Sequence, residues 1–304
     1  MRLLVTGASG LLGLHLAMAA AESHTVVAQV NSHALRGAPF PVIATGLETP
    51  QAVQRLLDEA RPAAVIHCAA LAFPDRCEED PALSERINAA LPGWLARECV
   101  QRGVRLVHVS TDAVFDGARG NFSEDDAPNP LNTYARHKLC GERAVAQIDP
   151  TALIVRSVFY GWSLNGRRSL AEWFYNNLTA GIPMRGFTDA YFCPLIAGDL
   201  GRLMLLALEN GLTGIYHVAS AEAISKYDFG VGIARLFGFD ERLISPASVA
   251  DSGLPANRSA DLSLNTDKFA AALGAHLPGQ MPGLWKFSQQ QQDGTAQKIR
   301  EMGA

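Results

Sequence analysis

The sequence has no apolar run long enough to cross a bilayer, no C-x-x-C pair and no surplus of positive charge. Each lack removes a class of function. A membrane-spanning helix needs about 20 consecutive apolar residues. The five cysteines, at 68, 77, 99, 140 and 193, leave one odd and offer no zinc-ligand spacing, so neither a disulfide scaffold nor a metal site is expected. With 26 Lys+Arg against 30 Asp+Glu, the net charge of −4 gives no footprint for nucleic acid or an anionic membrane. What remains is a core-forming chain of 304 residues, 48% hydrophobic and only 18% charged, long enough for one large domain or two smaller ones.

The first twenty residues imitate an export signal, with Arg2 ahead of an apolar run that ends in small residues. Gly7, Ser9, Gly10 and Gly13 punctuate that run at a spacing an export helix does not require. A reduced, cytoplasmic protein is therefore expected. Through the first half, nearly all-apolar runs at 3–6, 25–30, 42–44, 63–68, 106–110 and 152–156 alternate with helix-length segments at 11–21, 50–60, 81–102 and 133–147. Runs apolar on both faces, alternating with helices, predict a doubly wound parallel α/β sheet (Rossmann type) with ligands at the carboxyl ends of the strands. From about residue 158 the pattern becomes irregular. The expected plan is a dinucleotide-binding domain over 1–157, rejoined by 190–222, and a smaller mixed α/β substrate lobe over 158–189 and 223–288. Residues 289–304 read as a loosely held tail.

The segment Thr6-Gly7-Ala8-Ser9-Gly10-Leu11-Leu12-Gly13 lies between a strand and an apolar helix. Glycines there let the backbone turn sharply and approach a pyrophosphate, whose charge the helix N-terminus meets. The choice between NAD(H) and NADP(H) rests on the end of the second strand, where an acid binds the ribose hydroxyls and a cation accepts a 2′-phosphate. No Asp or Glu occurs between His24 and Thr45, while Asn31, Ser32, His33 and Arg36 follow the strand. NADP(H) is the expected cofactor.

Tyr134 and Lys138 stand four positions apart in a predicted helix that Asn132 or Thr133 can cap, so they share one face. A phenol is a poor acid–base group at neutral pH, and a neighbouring ammonium is expected to bring it down. Thr111, after the fifth strand, can hold a carbonyl oxygen by hydrogen bond while Tyr134 protonates it.

With these elements in this order, the chain resembles the extended short-chain dehydrogenase/reductases. The resemblance is nearest to the sugar-nucleotide-binding branch that contains the dTDP-4-dehydrorhamnose reductases and the related methionine adenosyltransferase beta subunit. It covers about residues 1–275. The most specific stretches are Val65-Ile66-His67-Cys68-Ala69-Ala70 with Asn88 after it, and Ser110-Thr111-Asp112-Ala113-Val114-Phe115-Asp116-Gly117 through Tyr134 to Lys138-Leu139-Cys140-Gly141-Glu142. The resemblance implies catalysis by Thr111, Tyr134 and Lys138, the last also bonding the nicotinamide ribose. It implies a pyrophosphate against Gly7, Ser9, Gly10, Leu11, Leu12 and Gly13, and cofactor contacts at Asn31, Arg36, Cys68, Ala69, Ala70 and Ser110. The second lobe would take a nucleotide-sugar or keto-sugar, with Asp112, Asn88 and Arg185 as substrate candidates. A homodimer is also implied.

An NAD(P)H-dependent keto-sugar reductase is thus the leading expectation. The alternatives are a non-catalytic cofactor-binding subunit, suggested by Ala113 in place of a substrate-side tyrosine, and an epimerase or dehydratase on the same scaffold. Arg167 and Arg168 are either a solvated face or partners of a diphosphate. His67 and His108, inside apolar runs, read as core residues, and the eight histidines form no ligand set.

Overall fold

In the computed structural model, residues 1–304 are described except residue 33, residues 252–258 and residue 304. Seven parallel strands form one sheet, whose core is β1 (Arg2–Thr6), β2 (Thr25–Val30), β3 (Val42–Ala44), β4 (Ala64–His67), β5 (Arg105–Val109) and β6 (Leu153–Arg156). The strand Gly214–His217 adds beside β6, which gives the order Gly214–His217, β6, β5, β4, β1, β2, β3. Chain order reverses between β1 and β4, the crevice where doubly wound sheets bind ligands. Side chains of alternate register feed the two faces: Leu3, Val5, Ala28 and Ile66 enter one buried cluster, and Leu4, Val27, Val65 and Leu106 the other. Both faces are dry, which explains why the strands read as apolar runs without alternation.

Helix α1 (Leu11–Ala20) is buried along almost its whole length, between the sheet and the helix Ala197–Glu209. Gly201 on that second helix permits the approach, because a Cβ there would already lie 3.1 Å from Leu16 Cα. On the other face lie α2 (Pro50–Ala60), α3 (Pro74–Glu79), α4 (Pro81–Glu85), α5 (Leu91–Arg102) and α6 (Thr133–Ile148). The single helix expected over 81–102 is broken by a π-helical turn, Arg86–Ala90, in which Leu91 N–H bonds Arg86 O. Pro92 is the physical reason: it has no N–H to give Asn88 O, so the regular ladder fails at that point. Gly141 of α6 then packs onto the turn, where a Cβ would sit 2.2 Å from Asn88 O. The irregular turn and the glycine together set how deeply α6 docks.

After β6 the strands become short. Phe159–Tyr160 pairs with Leu195–Ile196, Met184–Phe187 with Ile244–Ala247, and Tyr191–Phe192 with Ile224–Ser225. Aromatic rings fill the space between them; Trp162 stacks on Phe287 at 4.0 Å and Tyr160 meets Phe229 edge-on at 5.0 Å. The expected loose tail is instead structured. Helices Gln280–Gln292 and Thr295–Met302 occupy that end, Ala296 and Ile299 are buried, and Met302 O accepts from Arg36 N–H at 2.8 Å. The glutamine run hid the end of a helix in which Leu284 and Phe287 are buried while Met281 and Trp285 are exposed.

Candidate active site

At the carboxyl ends of the strands lies a cavity of about 300 Å³. One wall is the turn into α1. Gly10 caps the helix in extended conformation without a side-chain bond, and the first turn carries no acid. The amides of Leu11 and Leu12 therefore meet the cavity with the positive end of the helix dipole. Gly7 makes the turn possible: its φ is +68°, and a Cβ would stand 2.6 Å from Ala69 Cα in the loop after β4. Gln29, a polar residue buried inside β2, clasps this end of the sheet by accepting from Gly7 N–H at 3.0 Å and donating to Thr45 O at 2.6 Å. Its place in an otherwise apolar strand was the signal that sequence reasoning passed over.

The floor is Val109, Ser110, Thr111 and Asp112, where β5 ends. Tyr134 and Lys138 descend from α6, whose N-terminus is doubly secured. Asn132 Oδ1 accepts from Ala135 N–H at 2.9 Å, and Glu78 of α3 accepts from both Thr133 N–H and Thr133 Oγ1 at 2.8 and 2.6 Å. Lys138 is buried and donates to Val109 O at 2.6 Å. Burial brings its ammonium down to about 8, against the opposing pull of Glu142.

Tyr134 differs from expectation. Its phenol is pushed up rather than down, chiefly by burial, with Asp112 and Cys77 adding to the effect and only Thr111 opposing it. Lys138 does not act on it in this state, because the ammonium is turned to the Val109 carbonyl. The raised phenol is a protonated phenol at neutral pH. That is the form a proton donor needs at the start of a reduction.

Thr111 Oγ1 accepts from Ala113 N–H at 3.2 Å and donates to Asp112 Oδ1 at 3.0 Å. Asp112 is 6% exposed, and burial pushes its carboxyl up to about 6, with the Thr111 bond and the charge of Lys226 opposing. Ser110, though on the cavity floor, turns its hydroxyl to Glu142 Oε2 at 2.8 Å. Glu142 in turn is bonded by Arg156, whose Nε lies 3.1 Å from the same oxygen, both side chains being almost wholly buried.

Of the residues singled out from sequence, Gly10, Leu11, Leu12, Gly13, Cys68, Ala70, Ser110, Thr111, Asp112, Tyr134 and Lys138 come together around the cavity. Gly7, Ser9 and Ala69 do not line it, and Gly7 and Ala69 shape it from behind. Asn31 and Arg36 are exposed in the loop after β2, and His33 lies outside the described residues. An acid does stand near this loop in space, since Asn31 Oδ1 and Glu48 both lie beside Gly46. Asn88 is buried away from the cavity, where it accepts from Leu71 N–H at 3.0 Å and donates to Leu71 O at 3.1 Å, clamping the loop after β4. Arg185 is exposed on Met184–Phe187, paired with Ser245, and does not line the cavity. Cys68 does line it, but burial pushes the thiol up to about 12, so it is no nucleophile.

Sequence reasoning missed Ser157, Val158 and Phe159, which form the wall opposite α6 together with Arg168, one of the two arginines it had left between a solvated face and a diphosphate partner. The loop carrying Arg168 is tied by Glu172, fully buried, which accepts from Ser163 N–H at 2.7 Å and Arg168 N–H at 2.9 Å. His15 of α1 reaches Trp162 O at 2.8 Å, so this loop is held over the phosphate turn. Among the described residues no cluster of His, Cys, Asp or Glu could hold a metal, and no helix is long and apolar enough to cross a membrane.

A family model for the RmlD substrate binding domain matches residues 1–292. The chain is 36% identical over 279 residues to a probable low-salt glycan biosynthesis reductase of Haloferax volcanii, covering 90% of this chain and 93% of that one. It is 32% identical over 279 residues to the dTDP-4-dehydrorhamnose reductase of Mycobacterium tuberculosis, covering 89% and 87%. In three dimensions it is similar to the Bacillus anthracis dTDP-4-dehydrorhamnose reductase solved in complex with NADP, at a TM-score of 0.82 and 25% identity, covering 94% and 98%.

Proposed function

Since the chain belongs to the RmlD substrate-binding-domain family, we propose that it is an NADPH-dependent reductase of a keto nucleotide-sugar, with Tyr134 as proton donor. The observation that carries this reading is the meeting of Thr111, Tyr134 and Lys138 with the Gly10–Gly13 turn around one cavity. The names of the Haloferax and Mycobacterium relatives support it.

The residues fit a dinucleotide: the uncapped N-terminus of α1, with no acid in its first turn, is an anion site opening on the cavity. When bound, a nicotinamide dinucleotide supplies the hydride. The chain's own part is the proton and the charge. Tyr134 gives its hydroxyl proton to the oxygen of the substrate carbonyl, and the ammonium of Lys138 on the same face of α6 favours the phenolate left behind. Arg168 brings the cavity's second cation to the wall across from α6, and no carboxylate among the described residues pairs its guanidinium. It is placed for a diphosphate. The preference for NADPH rests on Arg36 and on the lack of an acid within the loop after β2, with Glu48 the countervailing charge.

Purified protein is expected to consume NADPH with a 4-keto nucleotide-sugar, and Tyr134→Phe to lower turnover by about 10²–10⁴-fold. NADPH affinity, read by quenching of protein fluorescence, is expected to change little in that variant. Unchanged turnover would remove Tyr134 from the mechanism. Equal affinity for NADH and NADPH would remove the cofactor preference alone.

A further inference from the structure

A hydroxyl has one proton and two lone pairs, and the proton and one lone pair of Thr111 are engaged within its own loop, with the Tyr134 phenol as a further hydrogen-bond neighbour. Ala113 N–H occupies one lone pair and the proton points to Asp112 Oδ1, a direction fixed by the carboxylate, which has no proton to give. Thr111, Asp112 and Tyr134 nonetheless line the cavity together, where a carbonyl oxygen would have to find its donors. In this state Thr111 has none to offer.

We propose that Asp112 acts as a neutral carboxylic acid in the reacting complex, donating its O–H to Thr111 Oγ1 and so turning the Thr111 proton onto the substrate carbonyl oxygen. The claim rests on the reductase reading above. Every group is then satisfied. Thr111 accepts from Ala113 N–H and from Asp112 O–H, and the carbonyl oxygen accepts from Thr111 and from Tyr134, one donor per lone pair. Asp112 keeps its proton throughout: the proton that ends on the product oxygen comes from Tyr134. Asp112 is therefore a positioning residue, and its ionised form is inhibitory because it holds the Thr111 proton away from the substrate.

The surroundings favour this role. Burial raises the carboxyl to about 6, so the neutral form is within reach near neutrality. The groups facing it are the Thr111 hydroxyl, the amides of residues 112 and 113, the Tyr134 phenol, the Cys193 thiol and, by charge, Lys226 from the second region. Lys226 pulls the carboxyl down, and among the described residues no guanidinium locks it in the ionised form as Arg156 locks Glu142. A substrate that fills the cavity displaces water and raises the carboxyl further.

The test measures kcat/KM against pH from 5 to 8 for the wild type, Asp112→Asn and Asp112→Ala, with NADPH and a keto nucleotide-sugar. The wild type is expected to lose about tenfold per pH unit above an inflection near 6. In Asp112→Asn the amide N–H replaces the acid O–H, so the inflection is expected to vanish while the rate stays about tenfold or more above Asp112→Ala. An inflection that persists in Asp112→Asn, or equal loss in the two variants, overturns the proposal. A second measurement needs no turnover. Forming the complex of protein, NADP⁺ and a nucleotide-sugar product at pH 7 in weak buffer with an indicator dye is expected to take up close to one proton in the wild type and none in Asp112→Asn. No uptake in the wild type overturns the proposal, and so does failure to form that complex. Absence of NADPH consumption by the wild type, with uptake intact, strikes the reductase reading and not the state of Asp112.

Discussion

Two carboxylates are buried within one turn of the same strand end, and they are treated in opposite ways. Glu142 is gripped by both Arg156 and Ser110, with side-chain exposures of 2% and 3% for the ion pair. Asp112, at 6% exposure, receives the Thr111 hydroxyl and the amides of residues 112 and 113 and, among the described residues, no guanidinium. A fully bonded buried pair is a structural anchor, because removing either member strands the other in a low dielectric. A buried carboxyl met only by a neutral hydroxyl and neutral amides stays able to change protonation. The first ties α6 to β5 and β6. The second faces the cavity.

The comparison can be broken most directly through stability. Glu142→Ala strands the Arg156 guanidinium and is expected to cost about 3–5 kcal/mol, read as a shift of the urea midpoint at pH 7. Asp112→Asn in the same assay is expected to cost nothing or to stabilise; an equal cost would erase the distinction. The pH dependence sharpens it. Because the folded protein raises Asp112 from 3.8 to about 6, it binds that proton more tightly than the unfolded chain does. Stability is therefore lost as pH rises from about 4 to 6 and then levels off, by up to about 3 kcal/mol at ~1.4 kcal/mol per unit. The difference in unfolding free energy between Asp112→Asn and wild type should grow by that amount between pH 4 and 7; a flat difference would mean that the carboxyl is not raised.

A smaller effect concerns the neighbouring histidines. His67 and His108 are register partners on β4 and β5, stacked at 5.4 Å beneath Lys138. His108 has no partner for either ring nitrogen among the described residues, and burial holds both rings well below 6.5. They act in the opposite sense to Asp112, their contribution being lost as pH falls below about 6.5. His108→Leu exchanges an unpartnered polar ring for an apolar chain and is expected to stabilise by about 1 kcal/mol at pH 7, rising at pH 5. Thermal unfolding at the two pH values decides it, and a loss at both would show that the ring is bonded in solution.

The expected strands lie within a residue or two of those observed from β1 to β6, because a doubly covered parallel sheet demands uninterrupted apolar runs that few other structures use. The return of Gly214–His217 to the sheet was legible as a strand-like stretch, although as an edge strand it is only partly buried. Less could be read where the chain departs from repeating units. Pro92 announced a break in a helix, but the π-turn it produces acquires meaning only from Gly141 on another helix. The last helices were hidden because the glutamine run and the exposed Met281 and Trp285 blur the face that is buried. In the site, Tyr134 and Lys138 were legible from spacing on one helix, and Thr111 from its position after an apolar strand. Arg168 was named without a place, since its wall depends on Glu172, four residues on, and on His15, which ties the loop to α1 from a distant segment.

The local chemistry of the chain was therefore determined residue by residue. Glycines turn the loop into α1, an i,i+4 pair shares a helix face, and apolar runs become buried strands. These depend on neighbours within a few positions, which a sequence displays directly. Protonation was decided only by the tertiary structure. Burial holds Tyr134 neutral, brings Lys138 down to about 8 and raises Asp112 to about 6, the last two against partners that pull the other way. Desolvation and charge act through space and take their strength from packing that no linear pattern records.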